Sequence, residues 1–316
     1  MPVTLAQAKL NVTDDLQLGI IDEFRKSSYL LDKLIFDDCV SPVGGGGTLT
    51  YSYTRLITQP TAAFRSINSE YTPGEVQKQR YSTDLKVLGG SYEVDRVIAK
   101  MGGIADEVAL QSSQKVKAVT ALFCDTVING NSSTDANEFD GLNVAVTGTD
   151  TEYTPAAPID LSTSAAVDSN YVAFVDQLDE WLGTMDGVDA ILGNSKAIAK
   201  FRAIARRMGM YQVTKNDFGQ AVEHYGNIPF VDLGAKAGSN DPIVGIEEDG
   251  TTSLYAVRFG RDGFHAITMA GGVPVWTALP DFTTPGAVKK GEVEMIAACV
   301  LKSSKAAGAF RNIKVQ

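Results

Sequence analysis

The sequence has few of the residues on which metal sites and disulfide frameworks depend. It contains three cysteines and two histidines in 316 residues. Cys39, Cys124 and Cys299 are odd in number, widely separated and form no C-x-x-C pair, which argues against a disulfide framework. A zinc site needs closely spaced ligands, whereas His224 and His265 stand alone. We therefore expect buried free thiols in a reducing compartment, and no metal or cofactor.

Positive charge is also scarce. Lys and Arg total 28 against 38 Asp and Glu, for a net charge of −10 and a pI near 4.8. A protein dedicated to binding nucleic acid or anionic membranes needs a cationic surface, so this composition argues against both classes. No apolar run approaches the roughly 20 residues that span a bilayer, and the first residues lack the pattern of a signal peptide. We expect a soluble protein made in a cytoplasm, with no membrane partner.

What the chain does contain predicts an α+β protein with a sizeable core, since 44% of its residues are hydrophobic. An arm with helical spacing from Asp14 to Leu34 stops near Ser41 and precedes four glycines at 44–47. Strand-like runs at 48–58 and 80–94 follow, with a long aperiodic connection between them. Such a connection indicates either a functional segment or a long hairpin that reaches away from the body.

A long helix and a compact α/β body are predicted next. The long helix follows Gly102 and Gly103, has Asp106 and Glu107 in its first turn, and ends at Asn129 and Gly130. The body comprises a helix at 171–185, a strand at 189–193 and a helix from a Ser195 cap to Arg207. Further strands are predicted at 228–233, 243–246, 254–259, 273–278, 292–301 and 310–315.

The motifs of known chemistries are incomplete. The glycines at 44–47 are followed by a strand and not by Lys-Ser/Thr and a helix, so they do not form a phosphate loop. Ser112 and Lys115 have the S-x-x-K spacing, but the motifs that complete that serine site are missing. If Gly141 takes the sixth position of a calcium-binding loop, Ala136 takes the position of the first ligand, so the segment does not fit the calcium-binding pattern. We expect no catalytic, cofactor-binding or metal-binding residues.

One helix is strongly basic within this acidic chain. Its charges are predicted to be solvated or, alternatively, to meet an acidic patch on a neighbouring subunit. The residues concerned are Lys196, Lys200, Arg202, Arg206 and Arg207.

Four phrases and their order along the chain resemble a known family. They are DEFRKSS at 22–28, FDGL at 139–142, GNIPFVD at 226–232 and LYAVRFG at 254–260. In this order, with the arm, glycines, hairpin, long helix and α/β body, the chain resembles the major capsid proteins of tailed bacteriophages, which share the Hong Kong 97 fold. The likeness covers nearly the whole sequence.

The resemblance implies a division of the chain. Residues 1–47 resemble the N-terminal arm and hinge, and residues 48–92 the extended hairpin loop. Residues 93–133 and 272–303 resemble the peripheral domain with its spine helix, and residues 134–271 and 304–316 the axial domain.

The resemblance also implies a structural role without catalysis. Copies of the chain would form pentamers and hexamers of an icosahedral virion shell, which matures from a procapsid and encloses phage double-stranded DNA with non-specific contacts only. A portal and a separate scaffolding protein are expected partners, because only about forty residues precede the glycines. The alternatives are an encapsulin-type compartment with an enzyme as cargo, or a soluble α/β acid–base enzyme.

The hairpin is the expected assembly interface, and we expect it to contribute little to the core of its own subunit. A two-stranded hairpin alone in water is marginally stable at best, and burying an apolar side chain contributes roughly 1.5–3 kcal/mol. Charges near its tip would set the register with a neighbour. A few members of the family that the chain resembles crosslink a lysine of this loop to an asparagine of a neighbour, and Lys78 is the candidate for that lysine. No partner asparagine or glutamate is assignable by motif, so no crosslink is expected. The interface residues are Leu49, Tyr51, Tyr53, Leu56, Glu70, Glu75, Lys78 and Arg80.

Overall fold

The computed structural model describes residues 29–40, 49–58, 60–101, 106–209, 212–215, 221–269 and 275–316. The helices are α1 (Tyr29–Lys33), α2 (Glu107–Asn129), α3 (Leu142–Ala145), α4 (Ser164–Gly183) and α5 (Ser195–Met208). The strands are β1 (Phe36–Val40), β2 (Thr50–Thr58), β3 (Gln77–Asp84), β4 (Lys86–Asp95), β5 (Glu152–Tyr153), β6 (Ile159–Asp160), β7 (Ala190–Gly193), β8 (Gln212–Lys215), β9 (Ala221–Tyr225), β10 (Ile228–Asp232), β11 (Thr251–Val257), β12 (Phe264–Met269), β13 (Val275–Ala278), β14 (Val288–Leu301) and β15 (Ala307–Lys314). None of the helices in these ranges has both the length and the hydropathy needed to cross a bilayer.

A five-stranded sheet is organised around the long strand β14. One side of β14 pairs antiparallel with β4, and its other side pairs with β13 and then with β12. Strand β1 adds to β12 in parallel. The long helix α2 packs across one face of this sheet, against β4 and β14. Its buried residues Val119, Phe123 and Val127 recur at helical spacing, which is why this face of the helix enters the core.

The predicted long helix is confirmed. The Asp106 side chain accepts hydrogen bonds from the backbone N–H groups of Val108 and Ala109, and so caps the first turn of α2. At the other end, the Gly130 N–H donates to the Thr126 carbonyl. The two glycines predicted before this helix, Gly102 and Gly103, lie outside the described residues.

An eight-stranded sheet carries a second core. Its strand order is β5-β15-β11-β7-β10-β9-β8, and β6 also pairs with β15. Helices α4 and α5 share this core, in which Trp181 and Phe174 of α4 meet Phe310 of β15. Helix α4 begins seven residues before the predicted start at Tyr171, because the Thr163 hydroxyl accepts from the Ala166 N–H and caps an earlier turn.

The cap of α5 is Asn194, one residue before the predicted cap at Ser195. The Asn194 carboxamide accepts from the Ala197 N–H at 2.9 Å. It also donates to the Thr252 hydroxyl at 2.7 Å and to the Val244 carbonyl at 3.1 Å. Asn194 is buried whereas Ser195 is exposed, so this one side chain ties α5 to the strands beside it.

We predict that Asn194→Ala lowers the free energy of unfolding by about 1–3 kcal/mol, since it removes a helix cap and leaves buried polar groups unpaired. Ser195→Ala, at an exposed position, should change it by less than about 0.5 kcal/mol. Chemical denaturation of both variants measures the difference. Equal losses in the two variants would contradict the assignment of the cap.

The strand predicted at 80–94 is two strands with different partners. The Leu85 side chain is buried in the core, and its N–H donates to the Leu49 carbonyl at 2.7 Å, which closes the hairpin. Strand β3, before Leu85, pairs with β2, whereas β4, after it, pairs with β14. Residues 86–92, expected in the hairpin, therefore lie in the five-stranded sheet. Strand β12, within the range expected for the axial domain, lies in that sheet too.

Two other expectations differ from the structure. The residues at 36–40 form strand β1 and do not continue the arm helix, of which only Tyr29–Lys33 is described. The residues at 243–246 bury Ile243 and Val244 but make only an isolated bridge, from Ile246 to Thr252. Short apolar runs are ambiguous because burial alone does not decide between strand, helix and buried loop. Residues 1–28 and 44–47 lie outside the described residues.

Candidate assembly interface

The candidate interface starts from the hairpin of β2 and β3. The two strands are antiparallel, and their register runs from Thr50 opposite Asp84 to Leu56 opposite Lys78, with a bulge after Leu56. The aromatic and β-branched residues of β2 favour this extended pairing. We call residues 49–55 and 79–85 the hairpin root, and residues 56–78 the distal hairpin.

The hairpin root is fastened to the end of β14. The Tyr53 hydroxyl donates to the Leu301 carbonyl at 3.0 Å. The Arg55 guanidinium donates to the carbonyls of Leu301 at 2.7 Å and Lys302 at 2.9 Å. The Tyr81 ring stacks on Tyr53 with centroids 5.7 Å apart, and it lies 4.6 Å from the guanidinium carbon of Arg55. These contacts hold one face of the root against the body.

This anchoring corrects the expectation that the hairpin contributes little to its own subunit. Tyr51 and Tyr53 are half-buried against the main core. Because successive side chains of a strand point to opposite faces, Tyr51, Tyr53 and Arg55 all face the body together. Burial raises the pKa of Tyr53, against the opposing effect of Arg55, so its hydroxyl remains a hydrogen-bond donor at neutral pH. Leu49 lies exposed at the start of the root.

Among the described residues, the distal hairpin has no hydrogen bond of this kind to the body. Every described residue from 60 to 80 is exposed. Phe64 is fully exposed and Ile67 is 90% exposed, and Leu56 and Tyr71 are exposed as well. Arg65 lies over the Tyr71 ring at 5.4 Å, which is a contact within the distal hairpin itself. Several large, strongly exposed apolar side chains in one projecting segment are consistent with a surface that another molecule covers.

The four predicted charges are all exposed, but they occupy different places. Lys78 is opposite Leu56 and Arg80 is opposite Thr54, so both lie on the strand face turned away from the body. Glu70 and Glu75 lie in the connection between the strands. No ion pair joins these four residues to one another within the described chain.

A second exposed surface was missed by the sequence analysis. Helix α2 covers one face of the five-stranded sheet. On the opposite face, Tyr51 of the hairpin root covers His265 of β12, whereas the part formed by β13, β4 and the first half of β14 is open. We call this the open sheet face; Trp276, 55% exposed, is its largest apolar side chain. Register places Trp276 opposite Glu294, and Glu292 beside it binds Lys290 at 2.6 Å. That hydrogen bond raises the pKa of Lys290. Other apolar side chains of this face include Val87, Val288 and Ile296.

The sequence holds only a partial signal for this surface. Exposed and buried residues alternate along the first part of β14, and a period of two indicates a half-buried strand. The exposure of Trp276 could not be predicted, because a tryptophan in a strand is expected to be largely buried.

The basic helix α5 uses most of its charge inside the subunit. Arg202 pairs with the buried Glu223, and Arg207 pairs with Asp168 of α4. The other partners are the Ser162 carbonyl for Lys200 and the Gln316 side chain for Lys196. Two of the five charges are therefore paired with carboxylates of their own subunit, and the predicted contact with a neighbouring acidic patch stays a prediction.

The residues considered for chemistry are not brought together. His224 lies on β9 and His265 on β12, in different sheets. Cys124 and Cys299 are buried and do not form a disulfide. Burial raises the pKa of Cys124 to about 12 and raises that of Cys299 as well, which makes both unreactive as thiolates. The described part of the chain holds no group of three His, Cys, Asp or Glu side chains suited to a metal ion.

Comparison with known proteins identifies the architecture. No protein-family model and no curated protein matches the sequence. Among solved structures, the holo-SrpI encapsulin of Synechococcus elongatus is similar, with a TM-score of 0.67 at 16% identity over 100% of this chain and 98% of that one. The capsid of a native GTA particle gives 0.63 at 11%, over 98% and 97%. The capsid of Myoviridae phage XM1 gives 0.56 at 14%, over 99% of each.

These identities are low, so the similarity shows the fold and leaves the activity to be argued from the surfaces described above. The similarity nevertheless extends over the whole length of the compared chains. The expected Hong Kong 97 fold is confirmed, and this chain shares it with phage capsids and an encapsulin.

Proposed function

We propose that this protein is the major capsid protein of a tailed bacteriophage, which assembles with copies of itself into an icosahedral shell around double-stranded DNA. The observation that carries the proposal is the distal hairpin, whose described residues are exposed and include Phe64 and Ile67. In a free subunit these apolar side chains stay in contact with water, whereas in a shell a neighbouring subunit would bury them. The role is structural, and the virion is the location.

The distal hairpin of one subunit is proposed to lie on a neighbouring subunit. Burying Leu56, Phe64 and Ile67 contributes roughly 1.5–3 kcal/mol for each side chain, before the cost of association. The open sheet face is the proposed receiving surface, since it offers Trp276 to the apolar residues of the hairpin. Its acidic residue Glu294 would attract Lys78 and Arg80, and high salt should weaken this attraction.

The domain division is proposed with boundaries that follow the observed pairing. The extended loop comprises residues 49–85 and ends where Leu85 enters the core. The peripheral domain comprises α2 and the five-stranded sheet, and the axial domain comprises the eight-stranded sheet with α4 and α5. A separate scaffolding protein and a portal are proposed partners, and the host cytoplasm is the proposed place of synthesis.

Electron microscopy of the purified protein tests this function. Closed shells of uniform size are expected, whereas small particles with a substrate turnover that one substitution abolishes would support a soluble enzyme. The similarity to the S. elongatus complex is the observation that supports the encapsulin alternative. Mass spectrometry and nucleic-acid staining of shells from the natural source separate the two, since a capsid encloses DNA and an encapsulin encloses an enzyme.

The unassembled subunit is predicted to bind duplex DNA more weakly than about 1 µM at physiological salt. The net charge of −10 repels the phosphates and offsets local contacts from Lys115 and Lys117 on α2. Fluorescence anisotropy with a labelled duplex measures the affinity, and a basic DNA-binding domain serves as the positive control. Tighter binding would show that this protein recognises DNA and does not merely confine it.

A further inference from the structure

A buried histidine lies beneath the hairpin root. His265 is 0% exposed, and within the described residues neither of its ring nitrogens has a well-formed hydrogen bond. The Tyr51 ring meets the imidazole edge-on, with 6.1 Å between centroids and 80° between planes. The Gly263 backbone is near enough to affect the pKa of the ring. Buried polar side-chain atoms nearly always have a well-formed partner, so this poorly paired imidazole requires an explanation.

The surroundings of His265 oppose its protonation. Burial is the main cause that lowers the pKa of His265, and the cation of Lys302 lowers it further, with a smaller effect of the same sign from Arg261. The Asp37 carboxylate of β1 and the Gly263 backbone act in the opposite direction.

Lys302, which acts on His265, also takes part in the contact that holds the hairpin root. The Lys302 ammonium lies 5.4 Å from the Tyr51 ring centroid, and Arg55 binds the Lys302 carbonyl. An imidazolium at His265 would therefore sit close to cations on the side where the hairpin root packs. Within the described residues, the Asp37 carboxylate offsets them in part.

We propose that His265 is a pH-sensitive latch, neutral when the hairpin root is docked and protonated when the root is released. Lifting Tyr51 from the imidazole would let water reach the charged ring, which the docked arrangement excludes. A cleft of about 370 Å³ lies beside the root, between Arg55, Tyr81 and the loop at Glu138 and Asp140. The inference concerns the single subunit and does not depend on shell formation.

The direction of the pH effect follows from the lowered pKa. At pH values between the lowered pKa of the docked state and the ordinary pKa of 6.5, the released state binds a proton that the docked state does not. Docking is therefore fully favoured above about 6.5 and weakens as the pH falls towards the docked pKa. One linked proton changes the ratio of docked to released root by at most about tenfold per pH unit.

Nuclear magnetic resonance of the full-length subunit tests the latch directly. The chain has two histidines, so His224→Gln leaves His265 as the single imidazole signal. In that variant His265 is expected to titrate below 6.5. Adding Arg55→Ala, which weakens the root contact, should move the titration towards the ordinary value. A ring that titrates normally while the root is docked would overturn the proposal.

Hydrogen exchange of residues 49–58 gives the reciprocal measurement. A released two-stranded hairpin is only marginally stable in water. The exchange rate of residues 49–58, divided by that of a peptide from α4 measured at the same pH, should therefore rise as the pH falls below about 6.5. His265→Phe should make the corrected exchange independent of pH, and His265→Gln provides a second neutral side chain if the first variant does not fold. An unchanged pH dependence in either folded variant would show that another group controls the root.

Discussion

Replacing residues 59–76 with an Asn-Gly turn is expected to abolish closed shells and to leave a folded subunit. The replaced segment contains Phe64, Ile67 and Tyr71, whose side chains are left exposed by all the described parts of the subunit. Its removal deletes the proposed contact with a neighbour. Electron microscopy and sedimentation of the purified variant measure shell formation.

The subunit should tolerate this change because the hairpin root keeps its contacts. Thr58 and Gln77 are partners across the strands, so a two-residue turn can join them. Tyr53 and Arg55, which bind the end of β14, are retained. We expect the free energy of unfolding of the unassembled subunit to change by less than about 1 kcal/mol, since exposed residues contribute little.

Two outcomes would contradict this prediction. Normal particles formed by the shortened chain would show that the distal hairpin is not an assembly element. A chain that no longer unfolds cooperatively would show that the distal residues support the fold, in spite of their exposure. The full-length protein, purified and assembled in parallel, is the control for both measurements.

Phe310→Ala is expected to lower the free energy of unfolding by about 3–5 kcal/mol, the usual loss for a large buried aromatic residue. Phe310 is fully buried at the centre of an aromatic cluster. Its ring centroid lies 5.2 Å from that of Tyr153, 5.6 Å from Trp181 and 5.8 Å from Phe174. Truncation would leave a cavity that these rigid rings cannot fill. Urea denaturation followed by tryptophan fluorescence measures the loss.

Phe64→Ala is the matched control, because it makes the same chemical change at a fully exposed position. It should leave the unfolding free energy of the subunit within about 0.5 kcal/mol of the parent value and should reduce shell formation. Similar losses of stability in both variants would contradict the assignment of Phe310 to the core and of Phe64 to an interface.

The elements with local signals could be predicted well. The long helix α2 is predicted from the acidic residues Asp106 and Glu107 near its start, its apolar stripe and its Gly130 end, all of which lie in one continuous segment. The hairpin was predicted from strand-like runs on either side of a long connection, and its distal exposure agrees with a loop that reaches away from the body. Local patterns are sufficient for such features because caps, periodicity and turns depend on neighbouring residues.

The sequence by itself determined the α+β class, the main helices and the lack of a recognisable catalytic motif. Only the tertiary structure decided that the chain changes partner at Leu85, that Tyr51 and Tyr53 face their own core, and that Trp276 stays exposed. It also placed His265 under Tyr51, although the two residues are far apart in the chain. Alternation along a strand shows that two faces differ, but the residues that cover each face come from distant segments. Which side chains remain exposed, and so available to a neighbour, is therefore settled by long-range packing.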